Sequence, residues 1–134
     1  MEKFTVPRID WLPGGSWDHE DDFEEFTASD LTCVLQRDRL GHWCGYVALP
    51  DKHPWAKKTA DAIKASVYGG VKTVGNLDGY DGLFVGFACA EPGDLQPTMM
   101  KWKRENLTSG IYRDFQFAKT ETEKLAAAVV RASK

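Results

Sequence analysis

Apolar and polar positions alternate first at Leu31–Arg37, where Leu31, Cys33 and Leu35 oppose Thr32 and Gln36. That period of two predicts a half-buried strand, with Val34 as the exception. Phe23–Ala28 reads as a short strand before it. After the turn-forming Asp38–His42, the run Trp43–Leu49 is apolar and aromatic and is predicted to return as the next strand. So short a connection permits only an antiparallel hairpin. Pro50 stops that strand, and Pro54 suits the first turn of a helix over Trp55–Lys64, with Ala56, Ala60 and Ile63 on one face. Ser66–Val74 is β-branched around Gly69–Gly70 and predicts a strand with a bulge or a close backbone approach. Turn residues fill 75–82. Leu83–Ala90, apolar on both faces, predicts a central strand. Glu91–Pro97 is a loop, and Thr98–Asn106 is read as a helical turn with Met99 and Trp102 inward. Last, Phe115, Ala118, Thr122, Leu125 and Val129 recur at helical spacing behind the candidate N-cap Asp114. The fold class expected is α+β, a mostly antiparallel, twisted sheet with a long C-terminal helix packed on it.

Length and composition fit that picture. A chain of 134 residues is the size of one domain, so residues 1–134 are expected to share a single core, with 1–22 as an extended arm docked on it. The segment Asp18–Glu25 carries six acidic residues and His19. A metal site or a DNA mimic would use such a run, but a solvated acidic loop is the commoner outcome of like charges in series. The net charge of −3 disfavours nucleic acid as a partner, since that role needs a basic surface. The three cysteines show no CxxC spacing, and two lie inside apolar runs, which points to a reducing compartment. With no apolar leader and no membrane-length run, the expected location is the cytoplasm.

No P-loop, GxSxG, HExxH, CxxC or GxGxxG pattern occurs, and no metal or cofactor is expected from motifs. Candidate chemistry therefore rests on position. His53, before Pro54, could serve as a general base or hydrogen-bond its own loop. His42 and His53 flank the Cys44 strand, so a Cys/His pair is conceivable, against the commoner buried, inert cysteine. Cys89 ends the second apolar strand. Glu91 and Asp94 in the following loop form a carboxylate pair, for acid/base or divalent-cation work or simply for capping a turn. Tyr68, Gly69 and Gly70 offer an open backbone edge, and Trp55 adds an aromatic of the kind favoured at interfaces. The expected site gathers His53, Trp55, Tyr68, Gly69, Gly70, Glu91 and Asp94 at one rim of the sheet, where the loops after two buried strands would meet.

Five separated elements carry a resemblance. They are Trp17-Asp18-x-Glu20 followed by Cys33-x-x-x-Arg37, Cys44-Gly45-Tyr46-Val47 with Pro50 and His53-Pro54, Gly69-Gly70-x-x-Thr73, Gly86-Phe87-x-Cys89-Ala90 with Gly93-Asp94 and Pro97, and Tyr112-Arg113-Asp114. In this combination the chain resembles a family of small phage and prophage proteins with no established activity. Members of that family read His-Gly-Gly-Leu-Thr at Tyr68–Thr73 and Gly-Phe-Asp-Cys-Ala-His at Gly86–Glu91, so two histidines and an aspartate are replaced here by Tyr68, Glu91 and Ala88. The resemblance implies a phage accessory protein in the host cytoplasm that binds a host or defence protein or a small metabolite. The alternative is a small hydrolase or transferase with His53 as general base and Cys89, Glu91 or Asp94 in support.

Overall fold

The computed structural model describes residues 22–38, 41–91 and 113–133. Its strands are β1 (Phe23–Ala28), β2 (Leu31–Arg37), β3 (Trp43–Ala48), β4 (Thr73–Gly75) and β5 (Phe84–Ala88), followed by the helix α1 (Phe115–Ala132). They form one sheet in the order β1-β2-β3-β5-β4, and every neighbouring pair is antiparallel. With α1 packed on the sheet, this is the expected α+β architecture. Among the described residues no helix is long and apolar enough to cross a membrane. The arm expected over 1–22 and the helical turn expected over Thr98–Asn106 lie outside the described residues, apart from Asp22.

Local chemistry accounts for the hairpins. Ala28 pairs with Leu31 across a two-residue loop, and Ser29 and Asp30 both have positive φ (52° and 62°). That backbone twist matches the twist of the flanking strands, and a short polar side chain such as that of aspartate tolerates it. The β2–β3 turn is closed by Asp38 N–H donating to the His42 carbonyl and Gly41 N–H donating to the Asp38 carbonyl. The fully buried Arg37 braces it, donating from Nη1 to the Gly41 carbonyl at 2.7 Å and lying 4.3 Å over the Trp43 ring.

α1 begins where the sequence pattern places it. The Asp114 carboxylate accepts from Phe117 N–H at 2.9 Å, a cap that stabilises a helix by about 1 kcal/mol. Ala118, Thr122, Leu125 and Val129 are fully buried on the stripe facing the sheet. Thr122 satisfies its hydroxyl by donating to the Ala118 carbonyl. Gly45 of β3 lets the helix lie close, because a Cβ there would come within 2.1 Å of Thr122 Oγ1 and 2.5 Å of the Phe87 ring. Both faces of the central strands are covered. Cys33, Leu35, Val47, Val85 and Phe87 share one buried cluster with Leu125, Ala126 and Val129 of α1, while Val34, Cys44, Tyr46, Leu77 and Phe84 form a smaller cluster on the opposite face.

Two expectations need correction. The helix expected over Trp55–Lys64 is instead a pair of short 3-10 turns, Pro54–Lys57 and Ala60–Ala62, separated by extended backbone at Lys58 and Thr59. Isolated short helices are marginal without tertiary support, and the packing of Trp55 and Ile63 sets this path instead. The strand expected over Ser66–Val74 exists only at Thr73–Gly75. Gly69 and Gly70 have φ of +69° and +77°, the left-handed conformation of a turn, so they end a loop and do not sit in a strand.

Candidate functional site

His53 follows a tight turn in which its N–H donates to the Pro50 carbonyl. The residue before a proline is held extended, and His53 has φ −64° and ψ 140°. From there the ring turns inward and is almost completely buried. Its Nδ1 accepts from Trp55 N–H at 3.0 Å, and its Nε2 lies 2.8 Å from the Val129 carbonyl of α1. A carbonyl only accepts, so the pair of contacts requires the proton on Nε2 and the lone pair on Nδ1. Trp55, also buried, packs edge-on against the ring at 5.2 Å. His53 therefore clasps the loop to the helix, with both nitrogens engaged.

Tyr68, Gly69, Gly70 and Glu91 do come together. Tyr68 N–H donates to Glu121 Oε1 at 2.9 Å, and Glu121 Oε2 pairs with Lys124 Nζ at 2.7 Å. The Tyr68 ring stands edge-on to Phe117 at 5.1 Å, and the Arg113 guanidinium lies about 5 Å from both rings. Glu91 reaches over Gly69, where a Cβ would come within 2.0 Å of its Oε1, and pairs with Lys72 Nζ at 3.3 Å. The close approach expected at this Gly-Gly is thus made by the chain's own carboxylate. Cys89, next to this rim, is buried in the core facing the helix, and its N–H donates to the Trp43 carbonyl. Asp94 lies outside the described residues.

His53 and Glu91 are not on one rim. β3 and β5 run antiparallel, with Cys44 opposite Ala88 and Ala48 opposite Phe84, so the loops that follow the two strands leave from opposite ends of the sheet. α1 gives the scale. His53 meets Val129 and Tyr68 meets Glu121, eight residues apart, or about 12 Å along a helix axis. That exceeds any shared contact, so His53 and Trp55 form one locus and Tyr68–Gly70 with Glu91 another.

Two open grooves adjoin the second locus, sharing Ala60 and Lys72 in their walls. One, of about 610 Å³, runs past Asp61, Lys64, Gly69 and Gly70; the other, of about 550 Å³, runs past Lys57, Lys58 and Thr59. The Thr59 hydroxyl hydrogen-bonds the Asp61 carboxylate and lowers its pKa, keeping this wall residue charged. At Gly70 nothing approaches the place a Cβ would take, so the backbone there faces open space.

A third group lies on the sheet face away from α1. Asp38, His42 and Cys44 each place a donor atom within 4.8 Å of the others. His42 with Cys44 is one of the two Cys/His pairs the sequence allows, whereas Asp38 is read there only as a turn residue. The signal was available, since residues i and i+2 of a strand share a face and a tight turn brings Asp38 back beside them. Comparison with protein-family models, with curated proteins and with solved structures finds no match for this chain.

Proposed function

We propose that this chain acts by binding, as a small accessory protein of the phage and prophage kind, and that its recognition surface is the pair of grooves that share Ala60 and Lys72, one of which runs past Gly69 and Gly70. The observation that carries this reading is their charge. Lys57, Lys58, Lys64 and Lys72 line them, and Asp61 is the one acidic residue among the described lining residues, on a chain whose net charge is −3. Glu91 counters Lys72 at 3.3 Å, so the positive character rests chiefly on Lys57, Lys58 and Lys64, and lysines gathered along a groove attract anions. The partner is accordingly an acidic segment of a host or defence protein, or an anionic metabolite.

Catalysis by His53 has less support. A general base needs a lone pair within reach of substrate, and Nδ1 already accepts the Trp55 N–H while the ring is shielded from solvent. The test is a thermal-shift and calorimetric screen of the intact chain with nucleoside triphosphates, pyrophosphate and a glutamate-rich peptide. Binding should appear for at least one anion and fall at least tenfold in the double variant Lys64→Glu/Lys72→Glu. Equal behaviour of both proteins towards every anion would sink the proposal.

A further inference from the structure

The geometry points to a second site, independent of the grooves: Asp38, His42 and Cys44 at the β2–β3 turn form a binding site for one transition-metal ion of the zinc class. Their donors are one carboxylate oxygen, one imidazole nitrogen and one thiol sulfur, all within 4.8 Å of one another. Nitrogen, sulfur and carboxylate oxygen are the ligands of zinc and its neighbours, whereas magnesium and calcium take oxygen alone. Three protein donors leave a fourth position for solvent or a ligand.

A separate observation concerns the His42 ring itself. His42 is buried, with 4% of its surface exposed. Nε2 lies 2.9 Å from Asp38 Oδ2, yet Nδ1 is buried with no hydrogen-bond partner among the described residues. A buried ring nitrogen without a partner costs folding free energy, and native structures rarely leave one unexplained.

The surroundings are built to hold such a group. Asp38 and His42 are locked by the backbone bonds that close the turn, and Arg37 braces Gly41 from behind. Cys44 lies on the neighbouring strand position, hydrogen-bonded by the Tyr46 hydroxyl, which is itself bonded by the Gln36 side chain. Partners of this kind orient metal ligands from one layer out. Asp38, the most exposed of the three, marks the side from which an ion enters. Without an ion the thiol is no nucleophile, because burial, with Asp38 adding to it, pushes Cys44 up to about 12. On binding, the sulfur–metal bond forms as the thiol proton leaves to solvent.

Cobalt(II) serves as the probe on the full chain, freed of metal with a chelator. One equivalent should produce a thiolate-to-cobalt charge-transfer band and the visible bands of a four-coordinate ion, and zinc should displace it. Cys44→Ser should abolish the charge-transfer band, Cys33→Ala should leave it, and Asp38→Asn should weaken binding by about tenfold or more. Should Cys44→Ser fail to fold, the wild-type chain still decides. Zinc must raise its melting temperature and release protons on binding, while magnesium does neither. The absence of a charge-transfer band in wild type, its survival in folded Cys44→Ser, or equal effects of zinc and magnesium would each overturn the assignment.

Discussion

Replacing His53 by alanine should destabilise the fold, whatever the protein binds. The mutation leaves the Trp55 N–H buried without an acceptor, a loss of about 1–3 kcal/mol. Removing the ring's buried carbon surface adds about 1 kcal/mol. The Val129 carbonyl contributes less, because it keeps the Ser133 N–H as a donor. A total near 3 kcal/mol is expected. With a urea slope of about 1.5 kcal/mol/M, the unfolding midpoint falls by about 2 M. His53→Asn separates the two halves of the clasp, since asparagine can accept from Trp55 N–H as a helix cap but does not span to Val129. It should recover about 1 kcal/mol over alanine. Urea unfolding followed by tryptophan fluorescence measures all three proteins. If alanine unfolds within about 0.5 kcal/mol of wild type, the ordinary scatter of surface substitutions, the clasp carries no weight and His53 returns as a candidate for chemistry.

Three further outcomes follow from other positions. Gly69→Ala should cost more than Gly70→Ala, because both strain a positive φ by about 1 kcal/mol but only Gly69 also meets the Glu91 carboxylate; paired denaturation curves decide. Gly45→Ala should destabilise by about 3 kcal/mol or more by forcing Thr122 and the Phe87 ring away from β3, and loss of near-ultraviolet circular dichroism would report it. Alkaline stability should fall from pH 9 towards 11. Burial raises Cys33 to about 11 from 9.0, so in that window the unfolded chain has lost a proton the native chain keeps. The slope from this thiol is at most about 1.4 kcal/mol per pH unit and vanishes below pH 9. Cys33→Ala should flatten the slope by that amount, and an unchanged slope would refute the assignment.

Elements with a clean period were legible in the chain. Leu31–Arg37, Trp43–Leu49 and the stripe from Phe115 to Val129 name their own partners, and the brevity of Asp38–His42 dictates the hairpin. The segment between Pro50 and Lys72 was not legible, because its contacts are remote. His53 bonds a carbonyl 76 residues away, and Tyr68 bonds a carboxylate 53 residues away. Local propensity at Trp55–Lys64 favours helix, and nothing nearby reveals that Trp55 and Ile63 are drawn to a surface made partly by α1. The candidate site was misplaced for a simpler reason. Two strands that both end in polar loops place those loops together only when they run the same way, and β3 and β5 do not. The grouping of Tyr68–Gly70 with Glu91 survives because both leave the sheet at the end where α1 begins.

The two ties from the 50–72 segment to α1 also govern how the molecule opens. That segment has no strand or α-helix of its own until β4, and it is pinned at Val129 and at Glu121. Regions open in cooperative units, and a stretch whose anchors sit on one helix shares that helix's fate. Amide exchange at Trp55 and Tyr68 should therefore follow release of α1, leaving the β1–β2–β3 hairpins protected. The grooves, walled by this same segment, would be taken apart in that opening while most of the sheet stays intact, so an occupant of the grooves would be felt as slower exchange along α1.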